Sequence, residues 1–159
     1  MNRLQFLRHS LLFLCFVVII SSCAGGVKSS IRKSDIVIQT AKSYLGTPYK
    51  YGGTTRVGMD CSALLYHSFR SVNLKLPRTS EDQSKLGAKI NIKDLRPGDM
   101  VFFATGKGKN DITHAGIVTA VMGNSDIRFI HASTSLGVTE SNLFSTYYIQ
   151  RFKRAKRVL

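Results

Sequence analysis

The sequence predicts an α+β domain in which helices come first and pack on an antiparallel sheet that follows. Three observations lead there. Between residues 34 and 87 the apolar positions recur at helical spacing; from residue 100 they gather into short β-rich runs; and turn-forming residues separate those runs. A length of 159 residues with 43% hydrophobic residues fits one domain with a single core plus a short appendage.

The appendage is the N-terminus. Arg3 and Arg8 precede the apolar run LLFLCFVVII (11–20), and Ser21 and Ser22 follow it. That order is the order of a bacterial export signal, placed over residues 1–22. The run falls short of the about 20 residues that a membrane-spanning helix needs. ISSC at 20–23 resembles the lipobox of bacterial lipoproteins, with Ile20 where leucine is usual. Cys23 would then be acylated and anchor the chain to a membrane facing the cell wall; plain secretory cleavage beside a chance cysteine is the alternative. Residues 24–33, AGGVKSSIRK, read as a flexible tether of at most about 35 Å. The folded domain is expected over 34–159.

In that domain Ser34 is expected to cap a first helix whose stripe is Val37, Ile38, Ala41, Tyr44 and Leu45, stopped by Gly46 and Pro48. YKYGGTT (49–55) reads as a glycine-rich loop. A second helix is expected from about Asp60 to Val72, with Leu64, Leu65, Phe69 and Val72 inward. Ser80 and Gln83 suggest a capping box for a short third helix ending at Gly87. Strands follow at MVFF (100–103), HAGIVTAV (114–121), IRFIHA (127–132) and QRFKRAKRV (150–158), and RPGD (96–99) turns into the first of them.

The formal charge is +14, and it becomes +12 when Arg3 and Arg8 leave with the signal. Export removes nucleic acid as a partner, so an anionic membrane face or an acidic polymer is the expected attraction. Most of these charges are scattered; RFKRAKR (151–157) is the one cluster.

Cysteine count narrows the chemistry. Cys15 leaves with the signal and Cys23 would carry lipid, so Cys61 is the only unmodified thiol of the mature chain. Asp60 has the side chain of an N-cap, which makes Cys61 the first helical residue, in a field that favours thiolate. A small buried hydrophobe is the commoner fate of a free cysteine. A nucleophile needs a base. His67 lies on another face of the same helix, whereas His114 and His131 sit on two strands whose pairing could bring them together, one as base and one as its orienter.

GTPYKYGGTTRVGMDCSALL, LPRTSEDQ, LRPGDMVFF, THAGIV and FIHAST resemble, in order, the blocks of the NlpC/P60 peptidases. The resemblance covers about residues 34–159, and the single-domain lipoprotein layout is similar to murein endopeptidases of the Spr (MepS) type. It implies a papain-like α+β fold and cleavage of peptidoglycan stem peptides without a cofactor or metal. It also implies roles: Cys61 as nucleophile, His114 as general base, His131 as third residue, and Tyr49 as a donor to the oxyanion. Tyr49 could equally serve as aromatic packing, and Asp60 and Ser62 are read as capping and packing groups. A monomer is expected. Three alternatives stay open: a Cys-His-His zinc site, a non-catalytic murein-binding lipoprotein, and an acyltransferase on the same fold. So does the bond cut, D-Ala–diaminopimelate or D-Glu–diaminopimelate, and whether the loop ATGKGKND (104–111) borders the groove.

Overall fold

A computed structural model describes residues 32–108 and 110–159; the predicted signal 1–22, Cys23 and the tether up to residue 31 lie outside the described residues. Helix α1 (Lys33–Lys42) turns Val37, Ile38 and Ala41 inward. Its N-cap is Arg32, not Ser34, and no side chain caps it; the Arg32 guanidinium instead bonds Asp35 in the first turn. Leu45, expected in the apolar stripe, is exposed, because the chain leaves the helix at Ser43 and rotates it outward. Gly46 takes a positive φ of 79° and begins the link to the next segment.

The glycine-rich stretch holds a small hairpin, β1 (Thr54–Thr55) with β2 (Gly58–Met59), which the sequence reading took as loop. Helix α2 (Cys61–Arg70) follows directly, shorter than expected at its C-terminal end. Asn73, at φ 63°, closes it, and Leu74 N–H donates back to the Phe69 carbonyl. Leu64, Leu65 and Phe69 are fully buried, so truncating Leu64 to alanine would cost about 2–5 kcal/mol. Helix α3 (Ser80–Gln83) is capped by Thr79, whose hydroxyl accepts from Asp82 N–H. The Ser80–Gln83 capping box is absent, because the Gln83 amide is used elsewhere: it donates to the Ser62 and Pro77 carbonyls.

Six strands form one antiparallel sheet: β3 (Ala88–Ile90), β4 (Met100–Phe103), β5 (His114–Val121), β6 (Ile127–Ser133), β7 (Gly137–Asn142) and β8 (Phe152–Arg157). Their spatial order is β3-β8-β4-β5-β6-β7. A 3-10 turn at Ile92–Asp94 and helix α4 (Thr146–Ile149) fill two connections. Strand alternation divides the interior in two. Met100, Phe102, Ala115, Ile117, Ile130 and Ala132 face the helices with Val37, Leu64 and Phe69. Val101, Phe103, Val118, Phe129, Leu143 and Ala155 make a second cluster on the opposite face.

Two local links matter for the site. The segment after α1 docks along β7: Gly46 N–H donates to the Val138 carbonyl (2.9 Å), and Val138 N–H donates to the Thr47 carbonyl (2.8 Å). Gly137 permits this approach, since a Cβ there would lie 2.3 Å from the Thr47 oxygen, at a φ of +70°. At the turn before β4, Asp99 is almost fully buried and receives Arg157 Nε and Nη2 at 2.7 Å each. That bond corrects the reading of RFKRAKR as one charged patch. Arg157 is engaged by Asp99, Arg151 lies over the Tyr147 ring, and alternation along β8 sends the remaining charges to both sides of the sheet.

Candidate active site

Asp60 caps α2 as the sequence implies, and it does more than cap. One carboxylate oxygen accepts from Ala63 N–H (2.8 Å), the Ser62 hydroxyl (2.9 Å) and Arg78 Nη1 (2.9 Å). The other accepts from Gly52 N–H (3.0 Å) and Arg78 Nη2 (2.6 Å). Burial works to raise the pKa of this carboxyl, and the bonds from Arg78, Ala63 and Ser62 outweigh it, so the net shift is downward. Asp60 therefore fixes three segments at one charge: the glycine-rich turn, the start of α2 and the loop segment that carries Arg78. Sequence reasoning gave Arg78 no role, although it stands in the LPRTS block. Gln83, expected in a capping box, instead holds the Ser62 and Pro77 carbonyls beside this arrangement.

Cys61 is the first residue of α2 and is 7% exposed. Burial pushes its thiol up to about 11, with backbone N–H groups, that of Ala115 foremost, pulling the other way. This differs from the expected thiolate. The helix field is present, but desolvation and the neighbouring Asp60 charge oppose ionisation, so the resting sulfur is a thiol.

His114 and His131 are brought together. β5 pairs with β6 through Ile117–Ile130, so one step further Gly116 faces His131 and His114 stands diagonal to it. His114 Nε2 lies 2.9 Å from His131 Nδ1. His131 is fully buried, and its Nε2 meets the Ser141 hydroxyl (2.9 Å) and the Tyr148 hydroxyl (3.2 Å). Phe129 stacks on the His131 ring at 4.8 Å. Gly116 leaves room for that ring, since a Cβ there would lie 2.5 Å from Phe129 Cδ2. Burial lowers His114 to about 4, and burial followed by the neighbouring His114 lowers His131 to about 3. Both imidazoles are neutral at ordinary pH. His67 takes no part in this arrangement; its Nε2 meets the Thr54 carbonyl at 2.9 Å.

No hydrogen bond joins the Cys61 thiol to His114 among the described residues; the thiol meets β5 at Ala115, the next residue along. With His114 Nε2 occupied by His131, Nδ1 is the ring nitrogen left for the thiol's proton. Cys61 and Tyr49 line one cavity of about 340 Å³, together with Asp60, Ser62 and Arg78. Tyr49 also packs against the helix-side core, as its packing reading has it. Its pKa is raised, chiefly by burial and then by Cys61 and Asp60, which keeps its hydroxyl a donor. His114 opens instead to a second cavity, of about 410 Å³.

The NlpC/P60 family profile matches residues 46–157. The chain belongs to the NlpC/P60 family, a family of cysteine peptidases. This NlpC/P60 chain is 43% identical over 118 residues to the probable endopeptidase NlpC of Escherichia coli, covering 74% of this chain and 73% of that protein. It is 38% identical over 128 residues to the murein DD-endopeptidase MepS/murein LD-carboxypeptidase of Escherichia coli, covering 80% of this chain and 63% of that protein. Among solved structures, an NlpC/P60 family protein from Bacillus cereus superposes with a TM-score of 0.70 at 30% identity, over 78% of this chain and 39% of that one. RipD of Mycobacterium tuberculosis, described as a non-catalytic NlpC/p60 domain protein adapted to peptidoglycan binding, has a TM-score of 0.65 at 24% identity, over 82% of this chain and all of that one. That likeness is one of fold alone. The fold can thus be present without the chemistry, and the weight falls on the side chains of this NlpC/P60 domain.

Ser141 and Tyr148 were missed from sequence. Ser141 lies on a strand without an apolar alternation, and Tyr148 on a four-residue helix too short to show a period. Nothing in their local pattern points to a histidine 10 or 17 residues away.

Proposed function

We propose that this chain is a cell-wall cysteine peptidase that hydrolyses amide bonds in peptidoglycan stem peptides or cross-links, with Cys61 as nucleophile, His114 as general base and His131 as the residue that orients it. The observation that supports this most is the 2.9 Å contact between His114 Nε2 and His131 Nδ1, on the strand whose next residue, Ala115, meets the Cys61 sulfur. That contact leaves His114 Nδ1 available, and His131 is itself held through Nε2 by Ser141 and Tyr148. A histidine with both nitrogens engaged is an orienting group and has no lone pair left for zinc.

The steps follow. Thiol and imidazole begin neutral, so the Cys61 proton passes to His114 Nδ1 as the sulfur attacks the amide carbonyl. The oxyanion is received by Cys61 N–H and the Tyr49 hydroxyl. His114 then protonates the leaving amine, and afterwards activates the water that releases the acyl group. His131 stabilises the imidazolium less than a carboxylate would, because it is neutral.

Muropeptide mass spectrometry after digestion is the direct test, and it also reads which bond is cut. Cys61→Ala and Cys61→Ser should be folded and inactive; near-normal turnover in either would end the assignment. The tether and lipid anchor belong to the same proposal. Acylation of Cys23 would hold the enzyme on a membrane facing the wall, and Cys23→Ser should release it into a detergent-free extract. A wild-type protein equally free of lipid would contradict that part.

A further inference from the structure

A cavity of about 600 Å³ lies at the other end of α2 from Cys61. Cys61 opens that helix, whereas Val72 and Leu74, which follow its last turn, form the cavity floor with Val158. Ten residues of helix are about 15 Å long, and that length separates the two openings. Basic side chains from three segments line the cavity: Lys33 at the start of α1, Arg96 on the turn before β4, and Arg157 at the end of β8. The turn is fixed in place. Arg96 N–H donates to Asp99 Oδ2 (2.8 Å) and Gly98 N–H to the Val118 carbonyl (2.9 Å). Gly98, at a φ of +96°, lets the turn approach α1, since a Cβ there would lie 2.8 Å from Ser34 Cβ. The acidic side chain in the lining is Asp99, and Arg157 takes it up; Arg32, at the rim, is paired with Asp35. Lys33 and Arg96 have no ion pair among the described residues, and together they outweigh the carboxylate of Leu159.

This inference rests on the reading of Cys23 as a lipid anchor and extends it. Arg32 lines the cavity, and only residues 24–31 stand between it and Cys23. That stretch reaches at most about 30 Å when extended and about half that as a coil. A bilayer that holds Cys23 is therefore within reach of the cavity. Guanidinium and ammonium groups form charge-assisted bonds with phosphate oxygens, and each adds to the attraction of an anionic surface. We propose that the cavity receives the phosphate headgroup of an anionic phospholipid, with Lys33 and Arg96 as its contacts and Val72, Leu74 and Val158 beneath its glycerol. Seated in this way, α2 has its C-terminal end towards the bilayer and its N-terminal end, with Cys61, turned away from it. A lipid on a flexible tether fixes the distance of the domain from the membrane but not its direction. The cavity supplies the direction.

The test uses the mature chain, residues 23–159, carrying Cys23→Ser, so that no acyl chain binds by itself and Cys61 is the only thiol. Sedimentation with phosphatidylcholine vesicles should show binding only when phosphatidylglycerol is present. Lys33→Gln and Arg96→Gln, at exposed positions where folding is not at risk, should each lower that binding about fivefold, the share of one basic residue at an anionic surface. Lys153→Gln, towards the opposite end of β8 from Arg157, should lower it less than twofold. Iodoacetamide should alkylate Cys61 equally fast on and off the vesicles. Equal losses in Lys153→Gln and Arg96→Gln would overturn the cavity as the place of binding, and slower alkylation of the bound protein would overturn the orientation. Displacement by inorganic phosphate at matched ionic strength would assign the cavity to a soluble anion instead. Loss of binding to sacculi but not to vesicles in Arg96→Gln would assign it to the wall polymer. None of these measurements uses the acyl group, so failure of the anchor reading shows separately, as a wild-type protein free of lipid.

Discussion

The side of the site that holds Cys61 is ionic and the side that holds His114 is neutral. Around Cys61 stand a full carboxylate and a full guanidinium, bonded to each other at 2.6 Å and to the backbone that positions the sulfur. Around the pair of His114 and His131 stand two hydroxyls and the rings of Phe103, Phe129 and Tyr148. The difference teaches how each group is held. The cysteine is placed by a charge that also opposes its ionisation. The histidines are placed by packing and neutral bonds, which keep them basic in form but make a lasting imidazolium costly.

The largest effect that would break this comparison is unequal loss at the two histidines. His114→Ala should lower kcat by about 10²–10⁴-fold, the range of a positioned general base. His131→Ala should leave measurable turnover, because in the proposed role it only orients His114 and bears no transferred proton. Iodoacetamide alkylation of Cys61 against pH reads the two variants without substrate; equal inertness would erase the division of labour.

Next in size is acid lability. Folding depresses His114 to about 4 and His131 to about 3 from an ordinary 6.5. Between those values the unfolded chain binds protons that the native state refuses, so stability is complete above pH 6.5 and falls as pH drops toward 3. Asp60, lowered from 3.8, contributes above that value and loses its share only as pH falls through its lowered pKa. The neutral side should therefore fail first on acidification. Thermal midpoints measured from pH 7 to 4 should decline in the wild type and decline less in His131→Asn; parallel curves would place the titration elsewhere.

The smallest effect is at Tyr148. Its hydroxyl shares His131 Nε2 with Ser141, at 3.2 Å against 2.9 Å. Tyr148→Phe keeps the ring against Phe103 and Phe129 and should cost about two- to threefold in kcat, one neutral hydrogen bond partly backed up by another. A loss as large as that of His131→Ala would make the tyrosine the true holder of the pair.

The two sides also differ in how far sequence could reach them. The Asp60–Cys61 junction was legible because helix capping is a local rule, as was β5, whose run of apolar residues ends where the structure ends it. The histidine pair needed strand adjacency, which sequence supplies only as a possibility, and the carriers of its outer shell had no pattern at all. Strands β3 and β7 escaped notice for the same reason: AKI is short, and GVTESN is mostly polar. Ser34 was misread as a cap because the helix begins a residue ahead of it. Pairing chosen by distant partners outweighs the local signal in the strands.

The contact of Gly46 and Thr47 with Val138 has a consequence for self-association. A terminal strand presents unpaired N–H and C=O groups, and another chain can add to them as a further strand. Here the Val138 N–H and C=O are already taken by the segment that leads into Tyr49. The opposite edge, β3, is three residues long with Lys89 at its centre, a length and a charge that discourage addition. The strip of chain that presents a tyrosine to the Cys61 cavity thus also occupies the Val138 end of the β7 edge, so that this cover and the placement of Tyr49 depend on the same two backbone bonds.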